Sequence, residues 1–138
     1  SYDVKRKSND RSCVLRIVAG RHRLLLPADI EAKSERELLG RDAEALRAEV
    51  LIVPHHGSRT SSTPEFVAAV HPAIAVFTVG YRNRFRHPRP EVVERYRALH
   101  AQLLQSDAEG AIEITAPGDG PIDISAYRKQ TPRYWRGP

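Results

Sequence analysis

Four consecutive apolar residues, Val50 to Val53, stop at a proline and are followed by two adjacent histidines, a glycine and a serine. Three of the four are β-branched, a composition suited to a short buried strand. Pro54 has no N–H for the next ladder bond, so the strand ends there. The run Val50-Leu-Ile-Val-Pro-His-His-Gly-Ser58 therefore puts imidazoles and free backbone N–H groups at the carboxyl end of a strand. In open α/β sheets ligands collect at that edge. The plainer alternative is a turn with two surface histidines, because two histidines are too few for a metal site.

The rest of the chain surrounds this strand with alternating elements. Ser12 to Ala19 reads as a strand, Gly20-Arg21 as a tight turn and His22 to Leu26 as the partner strand. Pro27-Ala28-Asp29-Ile30 closes that second strand, which leaves Asp29 at a carboxyl end or as a helix cap. Ser34 to Leu46 has helical apolar spacing, with Gly40 expected to split it. Thr63-Pro64-Glu65 reads as a helix start, with Thr63 as N-cap and Pro64 in the first turn. Ala73 to Val79 is a buried strand, and Pro90 to His100 a helix with Val92, Val93, Tyr96 and Leu99 on one face. Gln102 to Gln105 is a short strand, and Ser106 to Gly110 a turn. Ala111 to Ala116 and Ile122 to Ala126 form a last hairpin. Strands alternating with helices predict an α/β fold with antiparallel hairpins at both ends.

The 138 residues suffice for one domain. Hydrophobic residues at 41% and charged residues at 28% describe a globular chain, not a disordered one. The net charge of +5 and pI near 9.7 favour an anionic partner such as nucleic acid or a membrane surface. The single cysteine, Cys13, excludes an internal disulfide and a Cys-rich zinc site, and is expected as a small core residue. No apolar run approaches the ~20 residues of a membrane helix, and nothing resembles a signal peptide. The abrupt start in Ser-Tyr-Asp-Val-Lys is that expected of a piece cut from something larger. His22, His71 and His100 are expected at the surface.

Chemistry is expected at three strand ends: Asp29, His55/His56, and the loop Asn83 to His87. An aspartate with histidines from separate loops is a ligand set for zinc or manganese. Two cations bridged by a carboxylate can clamp the attacking and leaving oxygens of a phosphodiester. Arg59, Arg82, Arg84 and Arg86 share loops with these residues. Arginine forks fit phosphate and neighbouring aromatics can stack bases, against the alternative of a solvated charged face. Ser58 either caps the next turn or hydrogen-bonds a phosphate.

The segments Asn9-Asp10-x-Ser12-x-Val14-Leu15, Leu24-Leu25-Leu26-Pro27-Ala28-Asp29-Ile30, Val50 to Ser58 with Ser61-Ser62, and Asn83-x-Phe85-x-His87-Pro88 occur in this order. Together they resemble the metallo-β-lactamase-fold domain of ComEC-type competence proteins. The resemblance implies an αββα sandwich with two zinc or manganese ions between its sheets. It implies a polytopic inner-membrane parent that forms the DNA channel, with this domain on the outer, periplasmic side degrading the strand not taken up. Asp29 matches the bridging aspartate; Ala28 stands where the family pattern has glycine. His55 or His56 matches the last metal-binding histidine, with His55 favoured as the ligand and His56 and His87 as catalytic residues. Ser58, Arg59, Asn83, Arg84 and Arg86 fall on the substrate side.

One departure is large. The family's first half carries His-x-His-x-Asp-His, and none of the six histidines here lies in such a motif. Residues 1–127 thus look like the second half of the sandwich, a mixed sheet with helices on one face, followed by a basic aromatic tail over 128–138. The partners implied are DNA, the membrane-channel portion of the same polypeptide and the missing half-domain. An apolar face left bare by that half would favour self-association. The isolated chain is expected to hold metal weakly, if at all, and to be inactive or nearly so. The rival readings are a non-catalytic module binding DNA or a partner beside a degenerate metal site, and hydrolysis of another anionic substrate.

Overall fold

The computed structural model describes residues 8–130. Most of the basic aromatic tail, including Trp135, lies outside them. β1 (Leu15–Ala19) and β2 (His22–Leu26) form an antiparallel hairpin. β2, β3 (Val50–Ile52), β4 (Ile74–Phe77) and β5 (Gln102–Gln105) then run parallel, in the sheet order β1-β2-β3-β4-β5. The sheet is mixed and the fold is α/β. The parallel strands advance in one direction, and right-handed crossovers then put every connecting helix on the same face. That face holds α1 (Ala32–Asp42), α2 (Pro64–Val70) and α3 (Pro90–Ala98).

The core between helices and sheet joins Leu25, Leu51, Ala75 and Phe77 to Phe66, Val67, Val70, Val92 and Tyr96. Phe66 and Phe77 are wholly buried, a gain of about 1.5–3 kcal/mol for each side chain removed from water. α1 runs through Gly40 without a break, contrary to the split expected there. A helical glycine costs about 1 kcal/mol, less than Leu38 and Leu39 gain by packing on the core. The break comes after Asp42, whose carboxylate accepts the Ala45 N–H at 3.2 Å. Thr63 caps α2 as expected, accepting the Phe66 N–H. Ser106–Glu109, expected as a turn, is a short helix, α4. Tyr127–Gln130 forms α5. Cys13 is exposed rather than in the core, because the strand begins only at Leu15.

The opposite sheet face is covered by the hairpin of β6 (Ile112–Thr115) and β7 (Asp123–Ala126). Val50, Ile74, Val76 and Leu104 pack there against Ile112, Ile114, Ile122 and Ile124. The face is therefore only partly bare. An apolar cleft of about 340 Å³ remains, lined by residues including Ile17, Leu26, Ile52 and Ile114. β1 is an edge strand on which Leu15 and Val18 are 54% and 58% exposed. Among the described residues no helix is long and apolar enough to cross a membrane.

His22, expected at the surface, is buried and pins this hairpin to the sheet. Its Nδ1 lies 2.7 Å from Glu49 Oε1 and its Nε2 2.5 Å from the Gly120 carbonyl oxygen. Both partners accept, so the charged ring donates on both sides, and the Glu49 hydrogen bond first, then Gly120, raises its pKa above the usual value. A histidine raised on folding contributes stability that is full below its ordinary value of about 6.5 and is lost as pH rises through the folded value. Denaturant melts should therefore weaken on the alkaline side of that value, and His22→Gln should flatten the dependence; an unchanged profile in the variant would exclude this role. The two hairpins also touch through glycine. Gly20 has φ +59°, and a Cβ there would collide with the Gly118 backbone.

Candidate functional site

The loops after β2, β3 and β4 leave the carboxyl edge of the parallel strands, and they carry Asp29, His55/His56 and Asn83 to His87. Asp29 does not cap α1: the N-cap position is held by Glu31, whose side chain makes no capping hydrogen bond to the helix. Ala28 is left-handed at φ 55°, a conformation costing an alanine roughly 1–2 kcal/mol. An alanine at this position therefore carries strain. The Ala28 carbonyl accepts the His55 N–H at 3.0 Å, which stitches the first loop to the second.

After Pro54 the backbone turns left-handed at His55 (φ 50°), His56 (φ 56°) and Gly57 (φ 83°). Such strain persists only where the surroundings over-determine it, and it clusters at functional sites. His56 Nδ1 lies 2.6 Å from the Thr78 carbonyl oxygen. A carbonyl only accepts, so Nδ1 donates its N–H to Thr78 and Nε2 is the nitrogen left to meet another partner. That Nε2 is 3.5 Å from Asp29 Oδ1. A carboxylate oxygen and an imidazole nitrogen thus face each other, an ion pair when the ring is protonated and a two-donor set for a cation when it is not. A ring N–H held by a carbonyl is also the usual support of a metal-bound histidine.

His55 is differently engaged. The Asn9 amide approaches its Nε2 at 3.5 Å, and its Nδ1 meets Thr60 Oγ1 at 3.2 Å. The His87 ring completes the cluster, with centroids 5.9 Å from His55 and 6.5 Å from His56. Burial, followed by the neighbouring His55, His56 and Arg89, holds the His87 pKa below the usual value. Phe85 stacks on it at 5.8 Å. Among the described residues no group of three or more His, Cys, Asp or Glu could hold a metal ion.

Asn83 braces its own loop. Its Oδ1 accepts the His87 N–H at 2.7 Å and its Nδ2 donates to the His87 carbonyl at 2.8 Å. Both polar atoms of its side chain are thus engaged with the backbone around His87. Ser58 Oγ accepts the Thr60 N–H at 3.3 Å, the turn-capping alternative of the two. Arg59 forms an exposed ion pair with Glu91 at 3.6 Å, an interaction of small energy. Arg82 and Arg84 lie over the rings of Tyr81 and Phe85. Arg84 and Arg86 are exposed at the rim.

The last two loops meet at Gly57. A Cβ there would lie 2.6 Å from Pro88 Cβ, and the Gly57 carbonyl accepts the Arg89 N–H at 3.0 Å. Gly57→Ala should therefore lower stability by about 2 kcal/mol or more, from the positive φ and the collision together, and move the His87 ring from His55 and His56. Amide and imidazole NMR shifts together with urea melts test this. A variant of unchanged stability would mean that the loops are not wedged together.

Glu35 supports the site although it lies in none of the motifs. Its side chain is wholly buried and accepts the Ser62 N–H at 2.5 Å and the Thr63 N–H at 2.8 Å. Ser62 is held further by Tyr96 Oη at 2.8 Å and by Arg95 at 2.7 Å. Together they fix the segment that follows His-His-Gly-Ser. The available signal was spacing: Glu35 precedes Leu38 and Leu39 by three and four positions, on the buried stripe of α1.

No protein-family model matches the chain. It is 40% identical over 129 residues to Competence protein ComA of Neisseria gonorrhoeae, covering 93% of this chain and 18% of that protein. It is 31% identical over 105 residues to ComE operon protein 3 of Bacillus subtilis, covering 76% of this chain and 13% of that protein. It is 30% identical over 133 residues to Recombination protein 2 of Haemophilus influenzae, covering 96% and 16%. The chain thus spans less than a fifth of the length of each of these relatives. It is similar, over most of its own length, to one segment of proteins named for competence and recombination.

Proposed function

We propose that this chain forms one wall of a metal-dependent phosphodiesterase site acting on DNA during natural transformation. The observation that carries the reading is the pair Asp29 Oδ1 and His56 Nε2, 3.5 Å apart, with His56 Nδ1 held by Thr78. The geometry favours His56 over His55 as the metal ligand, because both ring nitrogens of His55 are already engaged. A divalent cation bound there supplies Lewis-acid polarisation of a phosphoryl oxygen and a nucleophilic water at neutral pH. In this reading His87, braced by Asn83 and with its pKa lowered, hydrogen-bonds a phosphoryl oxygen or takes a proton. Arg84 and Arg86 line the approach for phosphates, and Phe85 offers an exposed ring for a base. The relatives' names support DNA uptake as the setting.

Two donors leave a zinc site half filled. The remaining ligands come, in this reading, from the rest of a longer inner-membrane polypeptide whose domain faces outward. The apolar cleft beside Leu26 and Ile52 is where the other half of an αββα sandwich would pack. The second reading, a DNA-binding module with a degenerate site, is favoured by the lack of a three-donor group among the described residues. Cleavage of a labelled oligonucleotide by the full-length parent and by this chain, with Mn²⁺ and with chelator, separates them. The parent should cut only with metal, and the chain alone should not cut. A metal-loaded parent that binds DNA and leaves it intact would sink the phosphodiesterase reading.

A further inference from the structure

The opposite edge of the sheet, at the amino ends of β3, β4 and β5, carries a second concavity. It is a cleft of about 550 Å³ whose lining includes Arg21, Arg23, Arg47, His71 and His100. Arg21 and Arg23 come from the β1–β2 hairpin, Arg47 from the approach to β3, and the histidines from the ends of α2 and α3. His71 and His100 are left-handed, at φ 45° and 60°, where the chain turns from each helix toward the next strand. Among the described residues Glu49 is the one carboxylate in the lining, and it is engaged by His22 at 2.7 Å. No carboxylate among the described residues pairs with Arg21, Arg23 or Arg47.

Basic side chains favour helix carboxyl ends, which accounts for His71 and His100. It does not account for Arg21 and Arg23, which sit on a hairpin. Three unpaired guanidinium groups around one cleft repel one another and are tolerated because they are exposed. Such a set matches a ligand with several negative charges, and guanidinium forks match phosphate oxygens. We infer that this cleft is a second phosphate-binding site, which holds the backbone of a nucleic-acid strand away from the histidine cluster. The phosphate chemistry stands on the cleft alone; the choice of nucleic acid rests on the function proposed above.

The test is a set of ¹H–¹⁵N NMR titrations with chelator present, so that metal at the histidine cluster plays no part. The probes are pyrophosphate, a short single-stranded oligonucleotide, and vesicles containing phosphatidylglycerol. Pyrophosphate and the oligonucleotide should both shift the amides of Ala48, Ala73 and Leu99. The joint variant Arg21→Ala, Arg23→Ala, Arg47→Ala should weaken oligonucleotide binding about tenfold or more and reduce its salt slope by about 2, near 0.7 for each phosphate no longer neutralised. The joint variant Arg59→Ala, Arg84→Ala, Arg86→Ala should leave those amide shifts in place. Shifts confined to residues 55–59 and 81–89, or a cleft variant that binds normally, would overturn the site. A response to pyrophosphate or vesicles without one to the oligonucleotide would overturn the nucleic-acid assignment. Neither result depends on whether the full-length parent cleaves DNA.

Discussion

Glu35→Ala should lower the free energy of unfolding by roughly 3 kcal/mol, since two buried N–H groups would lose their acceptor at about 1–3 kcal/mol each, offset in part by relief of burying a carboxylate. Ser62 and Thr63 lie 27 and 28 residues from Glu35, so no local substitute is at hand. The damage should spread to the histidine loop, because the released segment connects Ser58 to α2. Glu35→Gln keeps the shape and one oxygen and turns its NH₂ on the other donor; it should cost less than the alanine change. Burial is the largest influence on this carboxyl group and raises its pKa against the Thr63, Ser62 and Arg95 contacts. A carboxyl raised on folding contributes fully below its ordinary value, near 4.5, and that contribution is lost as pH rises through the folded value. The gap between wild type and Glu35→Gln should therefore be widest in acid and narrow toward neutrality. Urea melts at several pH values measure this; a loss under about 1 kcal/mol for Glu35→Ala would show that water replaces the carboxylate.

The second large effect is expected on metal affinity. In the full-length parent, Asp29→Ala or His56→Ala should each weaken Mn²⁺ binding more than 100-fold, since even partners behind a metal ligand cost about 10–100-fold when removed. His55→Ala should cost less than tenfold, because its ring nitrogens meet Asn9 and Thr60 instead of Asp29. His87→Ala should leave metal affinity nearly unchanged and lower kcat. Calorimetric titration beside single-turnover cleavage separates the roles. Loss of metal with His55→Ala and retention with His56→Ala would reverse the assignment and restore the one the sequence favoured.

The choice between His55 and His56 marks where local reading runs out. The strands, the Thr63 cap and the amphipathic face of α3 were legible because each depends on side-chain period or on a proline or cap nearby. Asp29, His55, His56 and His87 were legible as candidates because each follows an apolar strand, and the sheet topology carries their loops to one edge. Which histidine turns to Asp29 was not legible. It depends on consecutive positive φ angles at His55 and His56 and on a carbonyl 22 residues away.

Hydrophobic period and turn residues act over a few positions, so the strands, the three longer helices and their order could be read from the chain, and with them the strand ends proposed for chemistry. The burial of His22 under the last hairpin and the anchoring of the loop beside the histidines by Glu35 arise from long-range packing, and the bracing of His87 by Asn83 from the fold of their loop. Long-range packing also gathers Arg21, Arg23 and Arg47 around one cleft. The reason is physical: a polar side chain's role follows from the partner it meets, and for His22 and Gly120 that partner is 98 residues away.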